Sequence, residues 1–380
     1  MAKPRRRRIE AVPHAEAMVR QKREEGFLTG HHYGYHLGRC EAIFRQTPVH
    51  PQRMWNVKVL YVTSGKGYPY SPLDEAIIDG LKAVVREVAI FQLNPKVKTE
   101  LASVAIREKP DLVLMLEGLN LDLQSVYRLR QAGIPAAIWF TDDPYYTDMT
   151  DKLAPHFDYV FTLELNCLDL YRRLGCREVH YLPFAADVRK FRPVHLDLVQ
   201  RKEICFIGSA YWNRVRSFDE LASYLSEKKI YICGLWWDRL KHYPLLKRNI
   251  DLNRWLSPEE TALAYNGSRI VINMHRAHDD ATYNFNSRNI PAASPNPRMF
   301  EIASCGTLQV ADTRDDMSRF YKLGEEILTY SSVGELIEIS EYFLTHDSER
   351  QEIALRALRR TLEEHTYPKR LAQMMQIVFG

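Results

Sequence analysis

What most restricts the fold of this chain is a rhythm of short apolar runs alternating with helical patterns. Residues 57–62, 88–91, 112–116, 136–140, 159–163 and 179–182 read as strands. Helical patterns over 73–85, 101–108, 123–131 and 167–174 lie between them. A strand apolar on both faces must be covered on both, the situation in a parallel sheet between layers of helices. Residues 183–193 (PFAADVRKFRP) interrupt the rhythm with two prolines and little periodicity, and read as an interdomain linker. The rhythm then restarts, with strands predicted over 204–207, 230–233, 270–273, 307–311 and 327–330. Helices are predicted over 218–227 and 258–266, the second opened by a capping box of Ser257 and Glu260. The fold class is α/β, with two Rossmann-like doubly wound domains facing a cleft at the carboxyl ends of both sheets. The expected division is an N-terminal basic and helical extension over 1–52, domains over 53–187 and 188–366, and a last helix over 367–380.

Charge excludes some classes. The 52 basic and 48 acidic residues leave a net charge of +4, too balanced to argue for nucleic-acid binding. The basic excess is local, at Lys3 and the arginines of 5–8, and reads as a solvated tail. No apolar segment follows it, so it is no export signal, and no run reaches the ~18 apolar residues of a membrane span. Six scattered cysteines without a C-x-x-C pair argue against zinc and against a disulfide framework. A cytoplasmic location is the expectation. Residues 16–25 look helical, and 31–45 hold three histidines. His36 and Cys40 can share a helix face but fall short of a zinc ligand set. An accessory helical segment packed on the first domain is expected here.

Two-domain α/β chains also include dehydrogenases and binding proteins, so the loops must decide. No G-x-G-x-x-G or Walker A loop follows 57–62; the loop there is TSGKGY. In WFTDDPY (139–145), Asp142 and Asp143 sit at the end of an apolar strand, where carboxylates need water, a partner or a ligand. Either is a candidate base for an acceptor hydroxyl; Glu117, after 112–116, is a weaker one. Gly208 and Ser209 allow close approach to backbone, and Arg214 is suited to a phosphate. His275 follows the strand 270–273 and is a candidate for a sugar or phosphate contact. The polar stretch 279–296 reads as a mobile loop in which Arg288 closes over a ligand.

The segment 296–312, NPRMFEIASCGTLQVAD, reads as loop, short helix, Gly306 stop and strand. A helix N-terminus with Arg298 suits a diphosphate, and Glu301 one turn on suits a ribose diol. Through Arg298, Phe300, Glu301 and Gly306 the segment resembles the donor-binding R-x-F-E-x-x-A-x-G region of GT-B glycosyltransferases. With Trp139, Asp142, Asp143 and Pro144, and with Glu364-His365-Thr366-Tyr367, it looks most like the CgeB-type (spore maturation) group. The E-x₇-E signature of related retaining enzymes is incomplete: Glu301 matches its second glutamate, but Ala293 stands where the first belongs.

The resemblance implies a metal-independent GT-B glycosyltransferase that takes a nucleoside-diphosphate sugar, UDP-linked by family habit, as substrate and needs no cofactor. Gly208, Ser209, Arg214, His275, Arg298 and Glu301 would hold the donor. Asp142 or Asp143 would address the acceptor, an unidentified glycan, protein or small molecule in spore-surface or cell-surface polysaccharide or glycoprotein synthesis. The last helix would cross back onto the first domain. The alternatives are a non-catalytic nucleotide-sugar or sugar-binding protein of degenerate GT-B fold and a UDP-sugar epimerase.

Overall fold

The computed structural model describes residues 12–51, 53–94 and 100–380; the basic cluster at 3–8 lies outside the described residues. A long helix α1 (Val12–Gln46) precedes the first sheet. That sheet contains β1 (Trp55–Val62), β2 (Val85–Phe91), β3 (Leu112–Leu116), β4 (Ala136–Trp139), β5 (Tyr159–Thr162) and β6 (Glu178–Tyr181). Its order is β2-β1-β3-β4-β5-β6, all parallel. The connecting helices are α2 (Ser71–Lys82), α3 (Leu101–Glu108), α4 (Leu123–Gln131), the short α5 (Thr147–Thr150) and α6 (Leu168–Arg173).

The second sheet contains β7 (Lys202–Ile207), β8 (Ile230–Gly234), β9 (Ile250–Leu252), β10 (Ser268–Asn273), β11 (Leu308–Asp312) and β12 (Leu328–Tyr330). Its order is β12-β11-β10-β7-β8-β9, again all parallel. Around it lie α7 (Trp212–Ser226), α8 (Tyr243–Leu246), α9 (Pro258–Asn266), α10 (Arg298–Ser304), α11 (Val333–Thr345) and α12 (Asp347–Glu364). The chain ends in α13 (Tyr367–Phe379). The apolar strands are buried on both faces, as a sandwiched sheet requires: all five residues of β3 are buried. The capping box of Ser257 and Glu260 opens α9, with both reciprocal bonds formed.

The chain crosses between the sheets twice, side by side. Ala186 pairs with Thr366, and the Ala186 N–H donates to the His365 carbonyl at 2.9 Å. After the second crossing α13 lies on α2, burying Leu371, Met374 and Met375 against the first sheet's core. The crossing explains a glycine inside α2. A Cβ on Gly80 would meet Leu371 Cδ1 at 2.6 Å and Tyr367 backbone at 3.3 Å. Glycine costs a helix about 1 kcal/mol relative to alanine, and here close approach of α13 justifies it. We expect Gly80→Val to lower stability by about 1–3 kcal/mol in urea unfolding.

Helix α1 corrects one expectation. It packs on the second sheet's layer, not on the first domain. Residues 16–29 are exposed, and burial begins at Tyr33 and continues at Cys40 and Ile43, a helical repeat. Cys40 and Ile43 join a core with Met299, Phe300 and Leu358. His36 and Cys40 do share a face, but that face meets Gly306: His36 Nε2 bonds the Gly306 carbonyl at 2.9 Å. All six cysteines are buried and unpaired.

Candidate functional site

A cleft of about 500 Å³ runs between the carboxyl ends of the two sheets. Its second-domain wall is built on two glycines that let loops touch. A Cβ on Gly234 would lie 2.2 Å from the Gly208 carbonyl oxygen, which also accepts the Trp237 indole N–H at 2.8 Å. Two arginines crowd Gly208. A Cβ there would sit 3.0 Å from Arg214 Nη1 and 3.2 Å from Arg298 Nη1.

Arg214 is buried in the first turn of α7. Its Nε and Nη2 donate to the Met274 carbonyl at 3.0 and 2.6 Å, and Nη1 donates to the Ser209 carbonyl at 2.9 Å. Burial, with the Arg298 charge beside it, pulls its pKa down to about 10. Arg298 donates to the Ile207 carbonyl. Neither arginine has a carboxylate in ion-pair contact among the described residues; Glu301 acts on Arg298 only at longer range. Ser209 is buried at the cleft wall. Glu301, one turn into α10, is only half-buried by surface yet lies deep in the cleft, and accepts no side-chain hydrogen bond among the described residues. Desolvation raises its pKa to about 7, against the pull of Arg298. The anion-binding reading of the α10 N-terminus narrows to Arg298: the helix has seven residues, and the Met299 N–H is taken by Asn296 Oδ1 at 3.2 Å.

His275 has a different job from the one expected. Its Nδ1 donates to Asp312 Oδ1 at 2.6 Å, and its Nε2 accepts the Asn296 N–H at 3.1 Å. Both ring nitrogens are spent, and burial holds the ring neutral by lowering its pKa. His275 therefore fixes the loop ahead of α10 rather than offering a donor to a sugar.

The two adjacent aspartates part company. The Asp143 carboxylate turns into the first domain and accepts bonds from Thr162 Oγ1 (2.6 Å), Tyr171 Oη (2.8 Å to each oxygen) and Thr150 Oγ1 (3.3 Å). With three hydroxyls on its carboxylate and 1% exposure, Asp143 is held as a structural group beneath the cleft wall, which corrects its place as a candidate base. Asp142 is half-buried and lines the cleft, with Tyr70 Oη and Thr141 Oγ1 each donating at 2.9 Å. Behind Thr141, Glu117 sits in a left-handed conformation (φ 61°) and pairs with Lys66 at 2.7 Å. Burial raises its pKa to about 7, and its Oε2 has no partner.

The stretch 279–296 is not a lid over the donor. It crosses to the first domain and is tied down there. The Phe285 N–H donates to the Tyr145 carbonyl at 2.7 Å, the Asp148 N–H donates to the Phe285 carbonyl at 2.8 Å, and Thr147 Oγ1 donates to Asn286 Oδ1. Arg288 pairs with Asp151 at 2.7 Å on the first domain. The sequence reading missed the strongest of these ties. The Glu164 carboxylate, just beyond β5, accepts the N–H groups of Ala293 and Ser294. Its signal was the one that drew notice to Asp142, an acid at the end of an apolar strand. Asn296 and Asp312 were also missed as partners of His275. Among the described residues no cluster of His, Cys, Asp or Glu has a metal-binding arrangement, and no helix is long and apolar enough to cross a membrane.

Two six-stranded parallel sheets facing one cleft, with a helix crossing back from the second to the first, define a GT-B fold. The fold is shared with sucrose-phosphate synthase of Thermosynechococcus elongatus (TM-score 0.57, 10% identity, 84% of this chain and 97% of that one). It is also shared with HepE of Anabaena, solved with UDP and glucose (TM-score 0.54, 11% identity, 84% and 99%). Residues 214–376 match a glycosyl transferase-like family. The chain is CgeB-like along most of its length: it is 29% identical over 323 residues to the spore protein CgeB of Bacillus subtilis strain 168, covering 84% of this chain and 98% of CgeB. It thus has a GT-B fold and is similar to glycosyltransferase-like proteins over its second half.

Proposed function

We propose that this protein transfers a sugar from a nucleoside-diphosphate sugar to a hydroxyl acceptor. The observation that carries the reading is the pairing of an unpartnered carboxylate, Glu301, with two arginines that lack carboxylate partners, Arg214 and Arg298, on one wall of the cleft. A nucleotide diphosphate needs this complement: cations for the phosphates and an acceptor for the ribose diol. UDP is the first candidate, because HepE, of the same fold, was solved with it. As the bond from the anomeric carbon to the diphosphate breaks, negative charge grows on the leaving group. Fixed cations in a partly dry cleft stabilise that charge with little reorganisation, which is the basis for reading the transfer as metal-independent. Asp142, on the opposite wall, would take the proton of the attacking hydroxyl.

The departure from the E-x₇-E pattern bears on turnover. At Ala293 the chain offers a backbone N–H, and that N–H is occupied by Glu164 from the other domain. This favours, as the second reading, a nucleotide-sugar-binding protein without transfer. Asp142→Asn separates the two. Under transfer, UDP release from a UDP-sugar pool in the presence of acceptor extracts falls by about 10²–10⁴-fold, while UDP binding, by calorimetry, stays within about twofold. Wild-type protein that binds UDP yet releases none from any UDP-sugar supports the binding protein instead.

A further inference from the structure

A second set of groups flanks the cleft and is used by nothing described above. It is assembled from the loops after β7, β8 and β10, all at the carboxyl edge of the second sheet. The Arg239 guanidinium lies 5.3 Å from the Trp212 ring, 4.7 Å from Trp236 and 5.3 Å from Tyr283. Trp236 and Tyr283 stack at 4.7 Å and 17°. Trp236 holds this place from a left-handed backbone (φ 66°), an uncommon conformation for a residue with a bulky side chain. Its neighbour Trp237 is wholly buried, so the pair divides between core and rim.

Arg239 has no ion pair and no hydrogen bond among the described residues, and its Nη1 is enclosed without an acceptor. Asp280, an acid on the third loop, accepts the N–H groups of Trp212 and Thr282. Asp238 is exposed. The segment after Arg239 adds Lys241, Lys247 and Arg248, all exposed and none in an ion pair among the described residues. It packs on α7, whose first residue is Trp212. Trp212 itself is 39% exposed.

The patch is continuous with the cleft through Tyr211, which lines the cleft and meets Trp236 at 5.9 Å and Tyr283 at 5.6 Å. Aromatic faces suit sugar rings, and a guanidinium with no ion pair, through the Nε and Nη2 that are not enclosed, suits a carboxylate. We propose that this rim binds the acceptor chain as an acidic glycan, with sugar rings on the aromatic faces and a carboxylate on Arg239. The assignment of this glycan as acceptor rests on the transferase reading above.

The test is calorimetric titration of full-length protein with tetragalacturonate, with cellotetraose and a single-stranded oligothymidylate as comparison probes, and with UDP in parallel. Binding of tetragalacturonate, at least tenfold weaker for cellotetraose, is expected. Arg239→Gln should weaken it at least tenfold and leave UDP affinity unchanged. Trp212→Ala, at an exposed position, should weaken it without lowering the melting temperature. The proposal is overturned if tetragalacturonate fails to bind while UDP binds, if the neutral tetramer binds equally well, if the oligonucleotide binds more tightly than either sugar, or if Arg239→Gln changes nothing. Glycan binding without UDP binding would support the rim and sink the donor site.

Discussion

Under the proposed donor site, Glu301→Ala is expected to remove most of the stabilisation that UDP would confer on this protein. A ligand at a hundredfold its dissociation constant adds about 2.7 kcal/mol to stability. Hydrogen bonds to a charged group are worth about 1.5–3 kcal/mol each, so losing two from a ribose diol would weaken UDP by about 10²-fold or more. The variant should fold, because Glu301 makes no side-chain hydrogen bond among the described residues and its carboxylate is costly where it lies. The pH dependence follows from the same group. Its pKa in the free protein is raised to about 7 by desolvation, and only the ionised form accepts from both hydroxyls. Binding therefore demands loss of a proton when the pH is below about 7. Affinity should fall as pH drops from 8 to 6 and level off above 7, and Glu301→Gln should flatten this part of the profile. Uridine, which lacks the phosphates, isolates the effect from titration of UDP itself. Undiminished binding of UDP to Glu301→Ala would refute the donor-site assignment.

The fold was legible in the chain because a doubly wound sheet writes its constraint locally. Strands such as β3 and helices such as α3, α4 and α9 coincide with the apolar and capping patterns that predict them. Strand β9 was not foreseen: its three residues are half-buried and carry Asp251 in the middle, so no apolar run marks it. Helix α1 was foreseen only in part, since residues 16–29 are exposed throughout and leave no periodic buried face to read. The cleft wall that carries Arg298 and Glu301 was legible, because the two lie on one short helix. What escaped was partnership across the chain. Asp142 and Asp143 are indistinguishable by sequence, and only the hydroxyls of Thr150, Thr162 and Tyr171, brought together by three separate elements, decide that one is structural. His275 reads as a ligand contact until Asp312 and Asn296, each more than 20 residues away, occupy both its nitrogens.

Glu164 is the clearest case of a function written in two distant places, and it carries the largest stability effect we expect. The buried N–H groups of Ala293 and Ser294 have this carboxylate as their acceptor. Ser294 returns the tie through its hydroxyl, which accepts the Leu165 N–H at 2.9 Å. Glu164→Ala would leave two buried donors without acceptors, at about 1–3 kcal/mol each, for a total loss of about 2–6 kcal/mol. In scanning calorimetry that corresponds to a fall in melting temperature of roughly 5–15 °C. Arg288→Ala provides the contrast. It breaks a more exposed tie of the same strap to Asp151, where an ion pair is worth about 0–1 kcal/mol, and it should shift the melt by no more than about 3 °C. If the two variants melt alike, the strap is not held by Glu164. If Glu164→Ala also splits one transition into two, the carboxylate couples the two domains. UDP affinity should then fall as well, because Asn296, which positions the first turn of α10, lies just two residues beyond Ser294.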